Sequence, residues 1–437
     1  LLKTIFMVFY IIFNKIKQSE MKKTSVSTLI FFLLWGGLTN FVSPLNAGNN
    51  SEDDGNIASS LMRSPQWQNA PDNNPIIHDD NFPSSVAANK KHVPSPNPES
   101  SASSENPALV LALDGGGMRG LAPILILSSL EKDISEKLGQ PIPISKIFDS
   151  FAGSSIGGLT ALLVASGRPI NNCDELFETE CPKIFSRYFY QKFTNPWGAI
   201  WPLYNVQQGL EPVLAETFKE EDLKEALKPV FVTTYAPELG RLLLLDSEHA
   251  KNPNKGYSNL KMRKAARFTS AAPTYFRAGT FYTQRNIPIE KDGKTEEVPF
   301  INLPGHKVID GGVAANDPTL LAYSRAKELF PNRSIFVLSL GTGHAPYPKI
   351  NGNEGLFSFV PLLANIFLDG TTAATGESLR MLLKDDYCRL QFESTVELDD
   401  ASPEALTTLK QEAEQIIKTD PYKHLVERLT SILRKRK

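Results

Sequence analysis

Two observations predict an α/β fold with a mainly parallel central sheet and helices on both faces. From Ala108 onward, short apolar runs alternate with longer stretches of helical period, the order that builds a sheet covered on both sides. Two glycine-rich turns also follow apolar runs, at the carboxyl ends of strands, where sites in such sheets lie. Leu109 to Leu113 reads as a buried strand. Ala122 to Leu138 reads as a helix, with Leu127, Leu130, Ile134 and Leu138 toward the core and Lys132, Asp133 and Glu136 toward water. Phe148 to Ala152 is a second strand, and Ile156 to Ser166 the helix after it. Further strands are predicted at Val230 to Tyr235, Arg241 to Asp246, Lys307 to Ile309, Ile335 to Leu340 and Tyr387 to Phe392. Further helices are predicted at Glu175 to Arg187, Leu210 to Phe218, Leu260 to Phe268, Pro318 to Leu329, Ser402 to Lys418 and Tyr422 to Leu433. No internal repeat is visible.

What precedes Ala108 has a different character. Met21-Lys22-Lys23, the short apolar stretch Leu29 to Leu38 and Pro44-Leu45-Asn46-Ala47 follow the layout of a cleaved secretory signal, with translation starting at Met21. Residues 1–47 are therefore expected to direct export; the alternative is an N-terminal membrane anchor using both apolar runs, which the lysines and polar residues from Asn14 to Ser27 interrupt. Residues 48–107 are rich in Ser, Asn, Pro and Asp and too poor in apolar groups to offset ordering entropy, the composition of a disordered linker. A core over 108–343 and a mostly helical extension over 344–437 complete the expected organisation. The net charge of −2 across 437 residues offers no basic field for nucleic acid. Three cysteines match no metal spacing and read as mostly buried thiols, with a Cys173–Cys181 bridge open to an exported chain.

Gly115, Gly116, Gly117, Arg119 and Gly120 form a turn that can aim several backbone N–H groups at one point, because residues without Cβ bend freely and approach closely. The same letters satisfy G-x-G-x-x-G, but the acidic residue that a dinucleotide site wants about 20 residues further on is displaced to Asp149. Gly153-Ser154-Ser155-Ile156-Gly157 has no role in that rival. It is the G-x-S-x-G pattern of a sharp strand-to-helix turn exposing a serine hydroxyl, beside the helix N-terminus that favours developing negative charge. Ser155 is the expected nucleophile; the blander reading is a chance match with Ser154 as helix cap. His78 and His92 lie in the linker and His424 in a terminal helix, and His249, His306 and His344 sit in no triad context. Asp310, ending an apolar run before Gly311 and Gly312, is the expected base, against the reading of a turn aspartate bonding its own backbone.

These residues carry a resemblance. Asp114 to Gly120, Gly153 to Gly157 and Asp310 to Gly312, with Ala266 to Phe276 and Ser339 to Gly343, resemble in order and spacing the patatin-like phospholipases. The resemblance implies a three-layer patatin-like fold and a lipid acyl hydrolase of phospholipase A type working by a Ser155–Asp310 dyad through an acyl-enzyme. It implies oxyanion donors around Gly116 and Gly117, an Arg119 that steadies the loop or meets a lipid phosphate unless it is a surface arginine paired with a carboxylate, and no metal or organic cofactor. Its partners would be an acyl lipid and, transiently, a membrane surface, with a host activator left open. A serine esterase on non-lipid esters and a catalytically silent lipid-binding or host-interaction protein are the other classes. Phe185, Tyr188, Phe189, Tyr190, Phe193, Trp197, Trp201 and Tyr204 crowd one stretch that suits either an interfacial flap or packing against the sheet. The terminal Arg434 to Lys437 reads as a frayed solvated tail, or as a contact for anionic lipid.

Overall fold

The computed structural model describes residues 106–185, 202–253, 256–282, 284–291, 294–301, 305–347 and 356–436. The segment expected to direct export, the linker up to residue 105 and most of the aromatic stretch lie outside them. Nearly all described residues belong to one unit built from His78–Asn351 and Leu362–Lys437. Its strands are β1 (Ala108–Leu113), β2 (Ser150–Ser154), β3 (Val230–Ala236), β4 (Arg241–Asp246), β5 (Gly279–Phe281), the hairpin β6 (Gln284–Lys291) and β7 (Lys294–Ile301), β8 (His306–Asp310), β9 (Ile335–Leu340) and β10 (Tyr387–Leu390). The main sheet runs β10-β9-β1-β2-β3-β8-β5, with β4 on the other edge of β3. Pairs from β10 to β3 are parallel; β4, β8 and β5 join antiparallel. The sheet is thus mainly parallel, with an antiparallel end.

Both faces are covered. Leu109, Leu111 and Leu113 of β1 point into one apolar cluster, while Ala108, Val110 and Ala112 point into another, the period-two division of a strand buried on two sides. The longer helices are α1 (Leu121–Leu138), α2 (Ser155–Ala165), α3 (Ile170–Thr179), α4 (Leu210–Phe218), α5 (Met262–Thr269), α6 (Thr319–Leu329), α7 (Leu356–Leu383), α8 (Pro403–Ile417) and α9 (Asp420–Lys435). α1, α2, α8 and α9 contribute to the first cluster, and α6 with Leu379 of α7 to the second. Every residue of α2 from Gly157 to Ala165 is buried, so this helix has no solvent face at all. Among the described residues no helix is long and apolar enough to cross a membrane.

Several expectations are corrected. The strand placed at Phe148 to Ala152 begins at Ser150, because Ile144–Ile147 forms a helical turn and Phe148 leaves it extended. The helix placed at Glu175 to Arg187 starts at Ile170 and breaks after Thr179, where Pro182 begins a separate turn, Cys181–Ile184. Cys181 is a free buried thiol, and burial pushes it up to about 12; the side chain of Cys173 lies outside the described ones. The basic tail is not frayed as far as Arg436, which donates to the Pro107 carbonyl and to Asp149 Oδ2 at 2.6 Å, ending α9 against the first residues of the core.

Candidate active site

Register on β3 decides where the two predicted residues meet. β2 runs parallel to β3 and ends with Ser154 opposite Thr233. β4 occupies the far edge of β3 along its length, so β8 pairs on the side β2 has just vacated, placing Asp310 opposite Thr234. Asp310 therefore stands one register step beyond Ser154, where β2 turns away. At that turn Ser155 adopts φ 52°, a left-handed conformation that strains a residue with a Cβ. Its N–H is held by Thr269 Oγ1 at 2.9 Å, and its Oγ donates to Asp310 Oδ2 at 2.6 Å. Asp310 Oδ1 accepts the Gly312 N–H at 2.7 Å, so one oxygen serves the turn and the other the serine. The carboxyl is 4% exposed. Burial pushes it up to about 6, against the pull of both hydrogen bonds.

Gly153 and Gly157 bring the first motif against the second. A Cβ at Gly157 would lie 2.4 Å from the Asp114 carbonyl, and one at Gly153 only 2.2 Å from the Gly157 carbonyl. A Cβ at Gly311 would strike the Thr233 carbonyl at 2.4 Å. Within the glycine loop the five residues separate by role. Gly115 donates its N–H to Asn316 O at 3.1 Å and accepts from Thr342 Oγ1 at 2.6 Å, and the Arg119 N–H turns back to Gly116 O. Gly120 packs against Ile156 and Phe177. The N–H groups of Gly116 and Gly117 have no acceptor among the described residues. Gly117 has φ 55° and a Cβ there would fall 2.1 Å from Leu398 O, so both conformation and space demand glycine.

Arg119 is neither a surface residue nor free to meet a phosphate. It is 9% exposed, and Nε donates to Val396 O at 2.6 Å, with Nη1 3.5 Å from Gly343 O. These contacts join the glycine loop to the chain at Val396 and Gly343. Burial lowers its pKa, while Glu397, Glu412 and Asp369 raise it. Among the described residues Ser155 Oγ bonds no histidine: His344 Nδ1 faces its neighbour's carbonyl and its ring stacks on Tyr347, and His306 lies near Glu238. Of the aromatic stretch, Phe185 and Tyr204 pack edge to face at 5.3 Å beside Phe276, as core residues; residues 186–201 lie outside the described residues. Among the described residues no group of three or more His, Cys, Asp and Glu could hold a metal ion.

Sequence reasoning missed the residues that hold these groups. Thr269 and Thr342 lie inside the stretches Ala266 to Phe276 and Ser339 to Gly343, and those matches were the available signal. Asn316, whose side chain sits between Gly115 and Gly312, carried no signal at all.

The geometry can be set beside known proteins. A family profile described as patatin-like phospholipase matches residues 111–323. Patatin-like protein 2 of Arabidopsis thaliana is 32% identical over 278 residues, 57% of this chain and 63% of that protein. Patatin-like protein 2 of Oryza sativa subsp. indica is 29% identical over 369 residues, 74% of this chain and 87% of that protein. The chain thus spans just under two thirds of the Arabidopsis relative. The crystal structure of VipD from Legionella pneumophila aligns at a TM-score of 0.35 with 12% identity, over 72% of this chain and 67% of that one.

Proposed function

Because the chain belongs to the patatin-like phospholipase family, we propose that it is a lipid acyl hydrolase of phospholipase A type, with Ser155 as nucleophile and Asp310 as its base. The observation that carries this is the 2.6 Å hydrogen bond from Ser155 Oγ to a buried carboxylate that ends a neighbouring strand. As Oγ attacks the ester carbonyl carbon, its proton passes to Asp310 Oδ2 and the carbonyl electrons move onto oxygen. Gly116 and Gly117 N–H groups receive that oxyanion; losing one such donor costs roughly 10²- to 10³-fold in rate. Collapse breaks the bond to the leaving alkoxide, which takes the proton from Asp310 and departs as an alcohol. Water then attacks the acyl-enzyme, giving one proton to Asp310, which returns it to Ser155 Oγ as the fatty acid leaves. Ser155 is held ready at its strained turn, so little reorganisation is needed.

The acyl lipid would be met at a membrane surface, transiently, after export directed by residues 1–47; the basic Met21-Lys22-Lys23 ahead of an apolar run supports that route. The test is mass spectrometry of products from mixed phospholipids and galactolipids incubated with the purified protein, beside soluble short-chain esters. Free fatty acid and lysolipid should accumulate, and not with Ser155→Ala. Turnover of soluble esters with lipids left intact would make it a non-lipid esterase.

A further inference from the structure

The family profile ends at residue 323, yet the glycine loop is held from well beyond it. Arg389 stands on β10 opposite Ser339 of β9, which in turn faces Ala112 of β1, two residues before Asp114. Its Nη2 donates to Asp114 Oδ2 at 2.6 Å and its Nη1 to Asp114 Oδ1 at 3.3 Å. Nη1 also lies 3.1 Å from Asp317 Oδ2 and donates to Ser339 Oγ at 2.5 Å. The side chains of Arg389, Asp114 and Asp317 are 8%, 2% and 1% exposed. Asp114 immediately precedes Gly115, Asp317 immediately follows Asn316, and Gly115 and Asn316 are joined by a main-chain hydrogen bond of 3.1 Å. One guanidinium thus ties together the chain carrying the oxyanion donors and the chain that leads away from Asp310.

We propose that Arg389 is a positioning residue for ester hydrolysis: its fork fixes the glycine loop against the Asn316–Asp317 segment and so sets where the Gly116 and Gly117 N–H groups stand relative to Ser155 Oγ. A cation facing two carboxylates in a dry pocket is an expensive way to stabilise a core, since apolar replacements of such groups are often neutral or better. A planar fork does what packing does not, because it addresses two carboxylates along fixed directions. Burial pushes Asp114 up to about 7, while the two carboxylates hold Arg389 above its usual range.

The inference rests on the dyad reading. Its test compares Arg389→Lys, which keeps the charge and loses the fork, with Arg389→Met in the full chain. Hydrolysis of a soluble short-chain ester is measured per active site titrated with a fluorophosphonate, with inhibition by a trifluoromethyl ketone as a transition-state mimic. In Arg389→Lys, kcat per site should fall at least about tenfold with KM within about twofold, and ketone affinity should weaken in proportion, because misplaced oxyanion donors act on the transition state. Unchanged kcat per site in Arg389→Lys, or activity in both variants that only tracks the loss of titratable sites, would overturn the proposal. Failure of both variants to fold would overturn it too, making the clamp a folding element. Ser155→Ala in the same assay separates the premises: if it still hydrolyses the ester, the dyad reading fails, whereas its silence beside a fully active Arg389→Lys removes only the positioning role.

Discussion

Acidification should switch off ester hydrolysis with a midpoint near 6 while the fold holds. Asp310 has an ordinary value of 3.8, and burial without a cation partner pushes it up to about 6. The rise from 3.8 to about 6 amounts to about 3 kcal/mol against the ionised form in the folded protein. In the proposed mechanism ionised Asp310 is the base, so kcat/KM should be nearly full above about pH 7, half at about 6 and fall about tenfold per unit further below. Stability runs the other way. A folded-state value above the unfolded one gives a contribution fully present below about pH 4 and lost as pH rises through about 6. The activity therefore disappears in the window where Asp310 is adding stability, which separates titration from unfolding. The assay is kcat/KM against pH on a soluble ester, with urea midpoints for wild type and Asp310→Asn. Asp310→Asn should be inactive throughout and gain on wild type by about 3 kcal/mol between about pH 4 and 8. An acid limb near 4 would refute the argument. So would a limb near 6 without that linkage, since a histidine base produces the same limb and leaves the Asp310 difference flat.

Ser155→Ala should lose ester hydrolysis entirely with its melting temperature retained, whereas Ser154→Ala, which removes a buried hydroxyl without a hydrogen-bond partner, should keep turnover near wild type; equal loss in both, measured as initial rates, would misplace the nucleophile. Thr269→Val strips the acceptor from the Ser155 N–H and should lower stability by about 1 to 3 kcal/mol in urea titration while slowing the burst of acylation, since an unpaired donor at a strained turn is then left. Arg436→Ala should cost about 1 to 2 kcal/mol by loosening α9 from Asp149, and leave kcat unchanged; a large loss of kcat would mean that the latch reaches the site.

The parts of the fold with a clear apolar pattern beside a glycine were legible. Arg241–Asp246 and Ile335–Leu340 form strands at their predicted limits, and Leu210–Phe218 a helix at its own, because Gly240, Gly341 and Gly209 punctuate them and the apolar residues within suit a strand or follow the helical period. The hairpin of β6 and β7 was not, since Pro288 and Pro299 and seven charged residues from Arg285 to Glu297 contradict a buried strand; among the described residues it pairs only with itself, so it needs no buried period. α7 was hidden by Pro361 and Gly370 inside its span. β10 was read, but nothing in Tyr387-Cys388-Arg389-Leu390 says that its arginine turns toward Asp114, 275 residues away.

The hydrogen-bonded pair Ser155 and Asp310 shows why candidate residues could be picked out and their placement could not. Ser155 announces itself through glycines at 153 and 157 that local packing requires, and Asp310 through the glycines after it. What brings them within 2.6 Å is the one-step offset on β3, and that is a property of three strands together. Thr234 secures it, donating from Oγ1 to Ile309 O at 2.7 Å while Asp310 N–H reaches Ala271 O at 3.0 Å. A slip of β8 by one residue would turn Asp310 to the opposite face of the sheet and bring Ile309 or Gly311 to the serine instead. The close approach at Gly311 belongs to the same device: with the Thr233 carbonyl only 2.4 Å from where a Cβ would stand, a side chain there would force β8 away from β3 and carry the base out of reach of Ser155.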